Sequence, residues 1–370
     1  MDRPKVANPH THGSAMQARL FELPYLTAEL PGTGGTVRAE PEDFRVDELP
    51  AYGPEGAGDH VFVHIEKRGL TTPVAAERLA EAVGVRVAEV GWAGMKDRHA
   101  VTRQWLSLPP PCTPEAVQAL ALDDITVLAA ARHRHKLRTG HLRGNRFTLR
   151  VRDLDCDADT AAARAQAILD RLAEAPGSPN WFGPQRFGRD GKNAALGRDL
   201  VTGTGRAPRG RQKRLFVSAL QSALFNEHLR RRLDDGLYAR VIEGDILQKR
   251  ASGGLFATTE PELDQGRLAA GEIVPTGPMF GHKLRSPAPD TAAAAREAEV
   301  LASEGLDLAD FARVGKLGVG TRRALAVALG EPAVRVVDAD RIELAFSLPA
   351  GSYATAVVRE VVKGPNPFPG

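Results

Sequence analysis

The most constraining feature of this sequence is a strict alternation of apolar and polar residues in the run RFTLRVR, at residues 146–152. Phe147, Leu149 and Val151 are apolar, and the positions around them hold arginine or threonine. Because successive side chains of a β-strand point to opposite faces, one face of this strand is apolar and the other is cationic. The runs HVFVHIEKR and DRIELAFSLP alternate in the same way. The sequence therefore predicts a mixed sheet with a basic side.

Helices such as TTPVAAERLAEAVGV are interleaved with these strands, which predicts an α/β (α+β) protein. A chain of 370 residues, of which 42% are hydrophobic, is long for one compact unit, so two domains are expected. The Gly- and Pro-rich run PGSPNWFGPQRFGRDGKN follows a helix and places a boundary near Gly177. The final run, DRIELAFSLPAGSYATAVVREVV, is predicted to be a strand, a tight turn and another strand that return to the first sheet. The middle region is then an insertion.

Positive charge is concentrated in two windows, although the net charge is only +3. Residues 132–146 carry six Lys or Arg, residues 206–214 carry five, and neither window contains an acid. A basic surface on an otherwise acidic body suits a phosphate backbone, because each neutralised phosphate releases condensed counterions. The alternative is a pair of solvated loops. The cations expected to contact nucleic acid are Lys96, Arg134, Lys136, Arg143, Arg209, Arg211, Lys213 and Arg214.

The sequence offers no sign of a cofactor, a metal or a membrane segment. No apolar run approaches the roughly 20 residues that cross a bilayer, and the polar start lacks a signal core, so a cytoplasmic protein is expected. Cys112 and Cys156 form no CxxC pair, which fits a reducing compartment and argues against a cysteine zinc site. The three histidines of residues 132–141 lack carboxylates at ligand spacing. GRDGKN and PGTGG match no nucleotide-binding fingerprint.

One carboxylate stands among cations in GMKDRHA, a loop between two predicted strands. Lys96, Arg98 and His99 favour the ionised form of Asp97, which makes it a poor proton donor but a usable nucleophile. The alternative is a loop aspartate that caps a turn or pairs with a neighbour. A glycosidase would need a second carboxylate about 5 to 10 Å away, and this loop has none. An enzyme that acts on a sugar–base bond without water needs only one.

The run AGMKDRHAVTRQW resembles the catalytic motif of the TruD family of tRNA pseudouridine synthases. Five other blocks resemble that family in the same order between about residues 30 and 365: EPEDFRVDEL, KLRTGHLRGNRFTL, PNWFGPQRFG, SALFNEHLRRRL and LPAGSYATAVVREV. The resemblance implies a pseudouridine synthase catalytic domain around a mixed, mainly antiparallel sheet, with an inserted TruD-specific α/β domain. The implied boundaries are a flexible extension at 1–30, a catalytic domain at 31–176 and 328–370, and an insertion at 177–327.

The resemblance also implies roles for individual residues. Asp97 would be the nucleophile, with Arg38 as its basic partner at a position where the family often has lysine. The residues implied to line a uridine pocket are Phe44, Asn145, Phe147 and Tyr353. An amide can donate to and accept from the edge of uracil, and an aromatic ring can stack on a flipped base. Taken singly, the two phenylalanines could be core residues, Asn145 a turn residue and Tyr353 a strand residue.

The implied activity is isomerisation of uridine to pseudouridine in tRNA, at position 13 in the D-stem and loop region. Asp97 would attack the nucleoside, the glycosidic bond would break, uracil would rotate, and C5 would join C1′. No cofactor or metal is expected, tRNA is the expected partner, and the enzyme is expected to be a monomer. Two alternatives remain at this stage: an RNA-binding or RNA-folding protein with little activity, and a hydrolase that releases free uracil. Attack at C1′ of ribose and addition at C6 of uracil both stay open.

Overall fold

The computed structural model describes residues 19–205, 208 and 210–364. Within this range the chain divides into two compact units, the first made of residues 29–173 and 328–364 and the second of residues 19–28 and 174–327. Residues 1–18 of the expected N-terminal extension lie outside the described residues. Leu20, Leu23 and Thr27 are buried. Residues 19–28 are therefore a packed part of the second unit and not a free extension.

The described residues form fifteen strands and eight α-helices. The strands are β1 (Thr36–Val37), β2 (Phe44–Pro50), β3 (His60–Arg68), β4 (Gly91–Trp92), β5 (Val101–Leu108), β6 (Ile125–His133), β7 (Leu142–Arg152), β8 (Ser178–Pro179), β9 (Ile246–Lys249), β10 (Leu255–Ala257), β11 (Ile273–Met279), β12 (Thr321–Ala324), β13 (Ala326–Val327), β14 (Gly330–Asp338) and β15 (Arg341–Pro349). The helices are α1 (Thr72–Ala82), α2 (Pro114–Gln118), α3 (Ala158–Ala173), α4 (Lys192–Thr202), α5 (Arg211–Asp234), α6 (Pro261–Ala269), α7 (Ala292–Ser303) and α8 (Ala354–Val362).

The first unit is built on one sheet with the strand order β14-β15-β7-β2-β5-β3-β6, and β1 and β4 pair with β7 and β5. Strands β2 and β5 run parallel, and the other pairs of this sheet are antiparallel. The predicted mixed, mainly antiparallel sheet of an α/β protein is confirmed. The long crossover between the parallel strands β2 and β5 carries β3, α1 and the loop that contains Asp97.

Helix α1 covers one face of this sheet. The hydroxyl of Thr71 accepts a hydrogen bond from the backbone N–H of Val74 at 3.4 Å, and Pro73 lies in the first turn, where its missing N–H costs nothing. The buried side chains of α1, including Leu79, pack with Val63 and Ile65 of β3 in one hydrophobic cluster. On the same sheet α3 packs against β14, β15 and α8. Packing of α1 on β3 places both elements beside the Asp97 loop, which bonds to Lys67 of β3 and to Thr72 of α1.

The segment after β15 differs from the prediction, because AVVREVV lies in helix α8 and not in a second strand. Its β-branched residues favour strands, which explains the error. Ala354, Val357, Val358 and Val361 are buried and recur at the spacing of one helical face. Burial of this apolar face outweighs the intrinsic preference of valine for strands. Strand β15 does return to the first sheet, where it pairs with β7.

The predicted basic side of the sheet is also wrong. Arg146 pairs with Glu331, Arg150 with Glu343 at 3.5 Å, and Arg152 with Asp43 at 2.7 Å. These acids come from β14, β15 and the turn before β2, so they lie far from the arginines in sequence. Cross-strand ion pairs therefore neutralise the cationic face of β7.

The second unit contains a four-stranded sheet with the order β10-β9-β11-β12 and the 24-residue helix α5. A buried ion pair joins Arg232 of α5 to Asp245 at 2.7 Å. The main hydrophobic cluster of the second unit includes Leu224, Val300 and Phe311. Among the helices described, none is long and apolar enough to cross a membrane.

Candidate active site

The site is centred on Asp97, in the loop between β4 and β5. The side chain of Asp97 is 56% exposed. Ala93 and Ala100, at the two ends of the loop, are buried. The carboxylate is therefore accessible to a large substrate, although the loop that carries it is anchored on both sides.

Arg38 holds the carboxylate of Asp97 from one side. Its Nη2 donates to Asp97 Oδ2 at 2.7 Å, and its side chain is only 12% exposed. The guanidinium carbon lies 3.9 Å from the centroid of the Phe44 ring, which is a cation–π contact. Burial lowers the pKa of Arg38 and the neighbouring Asp97 opposes this, but a guanidinium remains charged in proteins. An arginine at this position thus reaches Asp97 and is itself fixed by an aromatic ring.

Lys96 does not face solvent, which corrects the prediction that it contacts nucleic acid. Its Nζ lies 2.5 Å from Glu48 Oε2, and the two side chains are 4% and 0% exposed. The backbone N–H of Lys96 also donates to the Thr72 hydroxyl at 2.9 Å. An ammonium that is buried in an ion pair is not available to a phosphate. Lys96, the residue before Asp97, instead links the loop to β2 through its side chain and to the start of α1 through its backbone N–H.

Lys67 is a site residue that sequence reasoning missed. It is 0% exposed, and its Nζ donates to the backbone oxygens of Asp97 at 2.9 Å and Leu70 at 2.5 Å. Burial lowers its pKa to about 8, while Asp97 raises it and Lys96 lowers it further. A signal was present in the sequence, because Lys67 follows Val63 and Ile65 at alternate positions and so lies on their buried face.

The register of the sheet brings several of these residues to one face. Lys67 pairs with Thr102, Thr102 with Val46, and Val46 with Phe147. In the next row along β7, Asn145 pairs with Glu48. Paired residues of neighbouring strands point to the same side of a sheet. Lys67 and the implied pocket residues of β2 and β7 therefore share one face.

The two phenylalanines implied to line the pocket are in contact and buried. The rings of Phe44 and Phe147 meet edge to face with centroids 6.2 Å apart, and Phe147 also contacts Phe346 at 5.6 Å. Phe44 is 2% exposed and Phe147 is 6% exposed. Phe44 connects this aromatic group to Arg38 and hence to Asp97. These rings form an apolar wall beside the Arg38–Asp97 pair.

Asn145 and Tyr353 are placed differently from each other. Asn145 Oδ1 is buried and has no hydrogen-bond partner in the described part of the chain, so an acceptor is unused. Tyr353 is 40% exposed at the N-terminus of α8. It follows β15, whose last residue, Pro349, pairs with Gly144 next to Asn145. Tyr353 is thus a helix-cap residue near the same strand ends and not a strand residue.

The predicted nucleic-acid contacts of the first unit are partly engaged by the protein itself. Arg134 pairs with Glu55 at 3.1 Å. Lys136 donates to the carbonyl of Ala88 at 2.9 Å, and Arg143 donates to the carbonyl of Ala51 at 3.3 Å. Arg134 and Arg143 nevertheless remain exposed.

The predicted contacts of the second unit lie at the start of α5. Arg211 and Arg214 are exposed and Lys213 is half-buried. In the described residues no ion pair involves any of the three. Arg209 lies outside the described residues. Within the range that the structure describes, no group of three or more His, Cys, Asp or Glu side chains could hold a metal ion.

Comparisons with known proteins identify relatives over nearly the whole length of the chain. A family model described as tRNA pseudouridine synthase D (TruD) matches residues 21–207 and 204–361. The tRNA pseudouridine synthase D of Anaeromyxobacter dehalogenans (strain 2CP-1) is 50% identical over 356 residues, covering 95% of this chain and 99% of that protein. A protein of the same name from Thermus thermophilus is 44% identical over 341 residues, covering 92% of each.

A solved structure has the same fold. The putative tRNA pseudouridine synthase D (TruD) of Methanosarcina mazei matches with a TM-score of 0.79 and 24% identity, covering 95% of this chain and 98% of that one. The family match and the two relatives confirm the resemblance that the six sequence blocks indicated. The chain therefore belongs to the TruD family of tRNA pseudouridine synthases.

Proposed function

We propose that this enzyme converts the uridine at position 13 of tRNA, in the D-stem and loop region, to pseudouridine, with Asp97 as the nucleophile. The Arg38–Asp97 pair carries the proposal, because it combines an accessible carboxylate with a cation that fixes its orientation. Enzymes gain rate from holding the attacking group in one geometry, and here both the side chain and the backbone of Asp97 are held.

The proposed reaction rearranges bonds without adding or losing atoms from the RNA. Asp97 attacks the nucleoside, the bond between N1 and C1′ breaks, uracil rotates, and C5 bonds to C1′. The proton on C5 is then lost to a base, and N1 gains one. Phe147 has no hydroxyl, so it cannot carry this proton as a tyrosine could.

Recognition of the flipped uridine is assigned in this proposal to the residues beside the Asp97 loop. The unused acceptor of Asn145 supports a hydrogen bond from the N3–H of uracil. The exposed ring of Tyr353 offers a stacking face, and the Phe44 and Phe147 rings form the apolar wall. We assign catalysis to the first unit and propose that the second unit is the family-specific insertion. We also propose that the enzyme works in the cytoplasm as a monomer.

The test is incubation of the enzyme with unmodified tRNA that carries tritium at C5 of its uridines. Isomerisation releases the label to water and keeps the base in the RNA, because C5 loses its tritium and N1 gains a proton, and a tRNA with cytidine at position 13 should release none. Free uracil among the products would identify a hydrolase. Tight binding of tRNA without any release would favour an RNA-binding or RNA-folding protein.

The start of α5 is expected to contact the phosphate backbone. Replacing Arg211, Lys213 and Arg214 by alanine should weaken tRNA binding and flatten its dependence on salt, by a slope of about 0.7 to 0.9 for each lost phosphate contact. The measurement is the tRNA Kd over a range of salt concentrations. The matched control removes three exposed cations outside both basic windows, Arg240, Lys249 and Lys283. If the two variants have the same salt slope, the cations at the start of α5 are solvated and do not contact the phosphate backbone.

A further inference from the structure

Lys67 is a buried lysine on β3 whose ammonium is held by the backbone of the Asp97 loop and of Leu70. Its Nζ contacts two backbone carbonyls, and in the described residues no carboxylate lies within ion-pair distance of it. A buried ammonium without a carboxylate partner is costly, and a methionine would fill similar space with no charge. A charge kept at such a cost is explained if it acts on the group that it touches, and that group is the backbone of Asp97.

The charged groups nearest to Lys67 belong to the Asp97 loop, to β2 and to Arg38. Asp97 is in direct contact through its backbone oxygen, and its carboxylate is bound by Arg38. Lys96 is the next residue of the same loop, and Glu48 of β2 balances its charge. The neighbours of Lys67 on the adjacent strands are uncharged, namely Thr102 on β5 and Ile125 on β6. Lys67 thus contacts the backbone of the loop, and Arg38 contacts the exposed carboxylate of Asp97.

We propose that Lys67 is a positioning residue for the isomerisation proposed above: its ammonium ties the carbonyl of Asp97 to that of Leu70 and so fixes the loop on β3. This inference rests on the proposed function. The hydrogen bond from the N–H of Lys96 to the Thr72 hydroxyl fixes the Met95–Lys96 peptide, and Lys67 fixes the peptide that follows Asp97. The backbone is thus held on both sides of Asp97, which restricts the direction in which its side chain leaves the loop. Misplacing a reacting group by about 1 Å can cost about 100-fold in rate.

The ammonium form is the effective one, because hydrogen bonds from a charged donor are about twice as strong as those from a neutral donor. The pKa of Lys67 is lowered to about 8, chiefly by burial. Turnover should therefore fall as the pH rises through about 8. The effect of this group on stability has the opposite sign. The unfolded chain still binds the proton up to about pH 10.4, so deprotonation in the folded state stabilises the fold over that interval. Falling activity with unchanged or rising stability separates this mechanism from unfolding.

The experiment compares Lys67→Met with Lys363→Met. Lys363 is a matched control because it also donates to a backbone carbonyl, that of Leu30, and burial also lowers its pKa, but it lies after α8 and does not contact Asp97. Lys67→Met should lower kcat by about 100-fold and leave the tRNA Kd within about threefold. Hydrogen exchange of the backbone amides of residues 93–100 should become faster. Lys363→Met should change neither kcat nor that exchange.

Lys67→Arg provides a second test, and it still decides if the methionine variant does not fold. A guanidinium stays charged, so the loss of turnover above about pH 8 should disappear or move to higher pH. The inference is overturned if Lys67→Met keeps wild-type kcat, if loop exchange is unchanged, or if Lys67→Arg keeps the wild-type alkaline limb. If the wild type releases no tritium but loop exchange is faster in Lys67→Met, the proposed function is wrong, and Lys67 still fixes the loop.

Discussion

Replacing Asp97 by asparagine is expected to abolish the release of tritium from C5 of uridine, with a loss of at least about 10³-fold in kcat. The amide has nearly the same shape as the carboxylate and can still accept a hydrogen bond from Arg38, so the loop should keep its structure. What the variant lacks is the negatively charged oxygen that attacks. The tRNA Kd should stay within about threefold of the wild-type value, because binding uses contacts over a much larger surface. Single-turnover label release and filter binding measure the two quantities.

A matched control for this variant is Asp47→Asn. Asp47 is also a partly exposed aspartate with an arginine partner, Arg103 at 3.7 Å, and it lies on β2, where alternation places it on the sheet face opposite Glu48. Its replacement should leave label release unchanged. Activity of Asp97→Asn within about tenfold of wild type would remove Asp97 from the role of nucleophile. Equal losses in the two variants would point to a general effect of charge on folding or RNA binding.

Much of the site could be predicted because its defining residues lie in short blocks. Asp97 stands in a recognisable loop motif, and Arg38 lies a few residues before the EDF block. Lys67 and Glu48 were missed for a physical reason. Both look like surface residues of an alternating strand, and their burial depends on which face the sheet turns toward the loop. The position of each after two buried apolar residues at alternate sites was the available signal.

Two parts of the fold differ from the sequence prediction, and both depend on contacts between distant segments. Helix α8 was predicted to be a strand because its valines were judged by local preference, whereas its packing against α3 decides its conformation. The arginines of β7 were expected to form a basic side. Their partners Glu331 and Glu343 lie more than 180 residues away, and no local pattern could reveal them. The sheet itself was predictable since strict alternation is a property of each strand alone.

The last prediction concerns the buried pair of Lys96 and Glu48. Lys96→Met should destabilise the first unit by about 3 to 5 kcal/mol, because it leaves the Glu48 carboxylate buried without its partner. Glu48→Gln should cost a similar amount by stranding the ammonium. The double variant removes both charges of the pair, so its loss should be smaller than that of either single change. Urea unfolding followed by tryptophan fluorescence measures all three.

An exposed ion pair serves as the comparison, since Arg86 and Glu89 are joined on the surface at 2.9 Å. Arg86→Met should leave the urea midpoint unchanged, because solvent screens such pairs. If Lys96 instead bound RNA, Lys96→Met would weaken tRNA binding and leave unfolding unaltered. If the two single losses simply add in the double variant, the pair is not coupled and does not anchor the loop. A coupling of about 2 kcal/mol or more would show that the Lys96–Glu48 pair is one of three points that fasten the loop presenting the Asp97 carboxylate. Those points are the Lys96 side chain, the Lys96 backbone N–H and the Asp97 carbonyl.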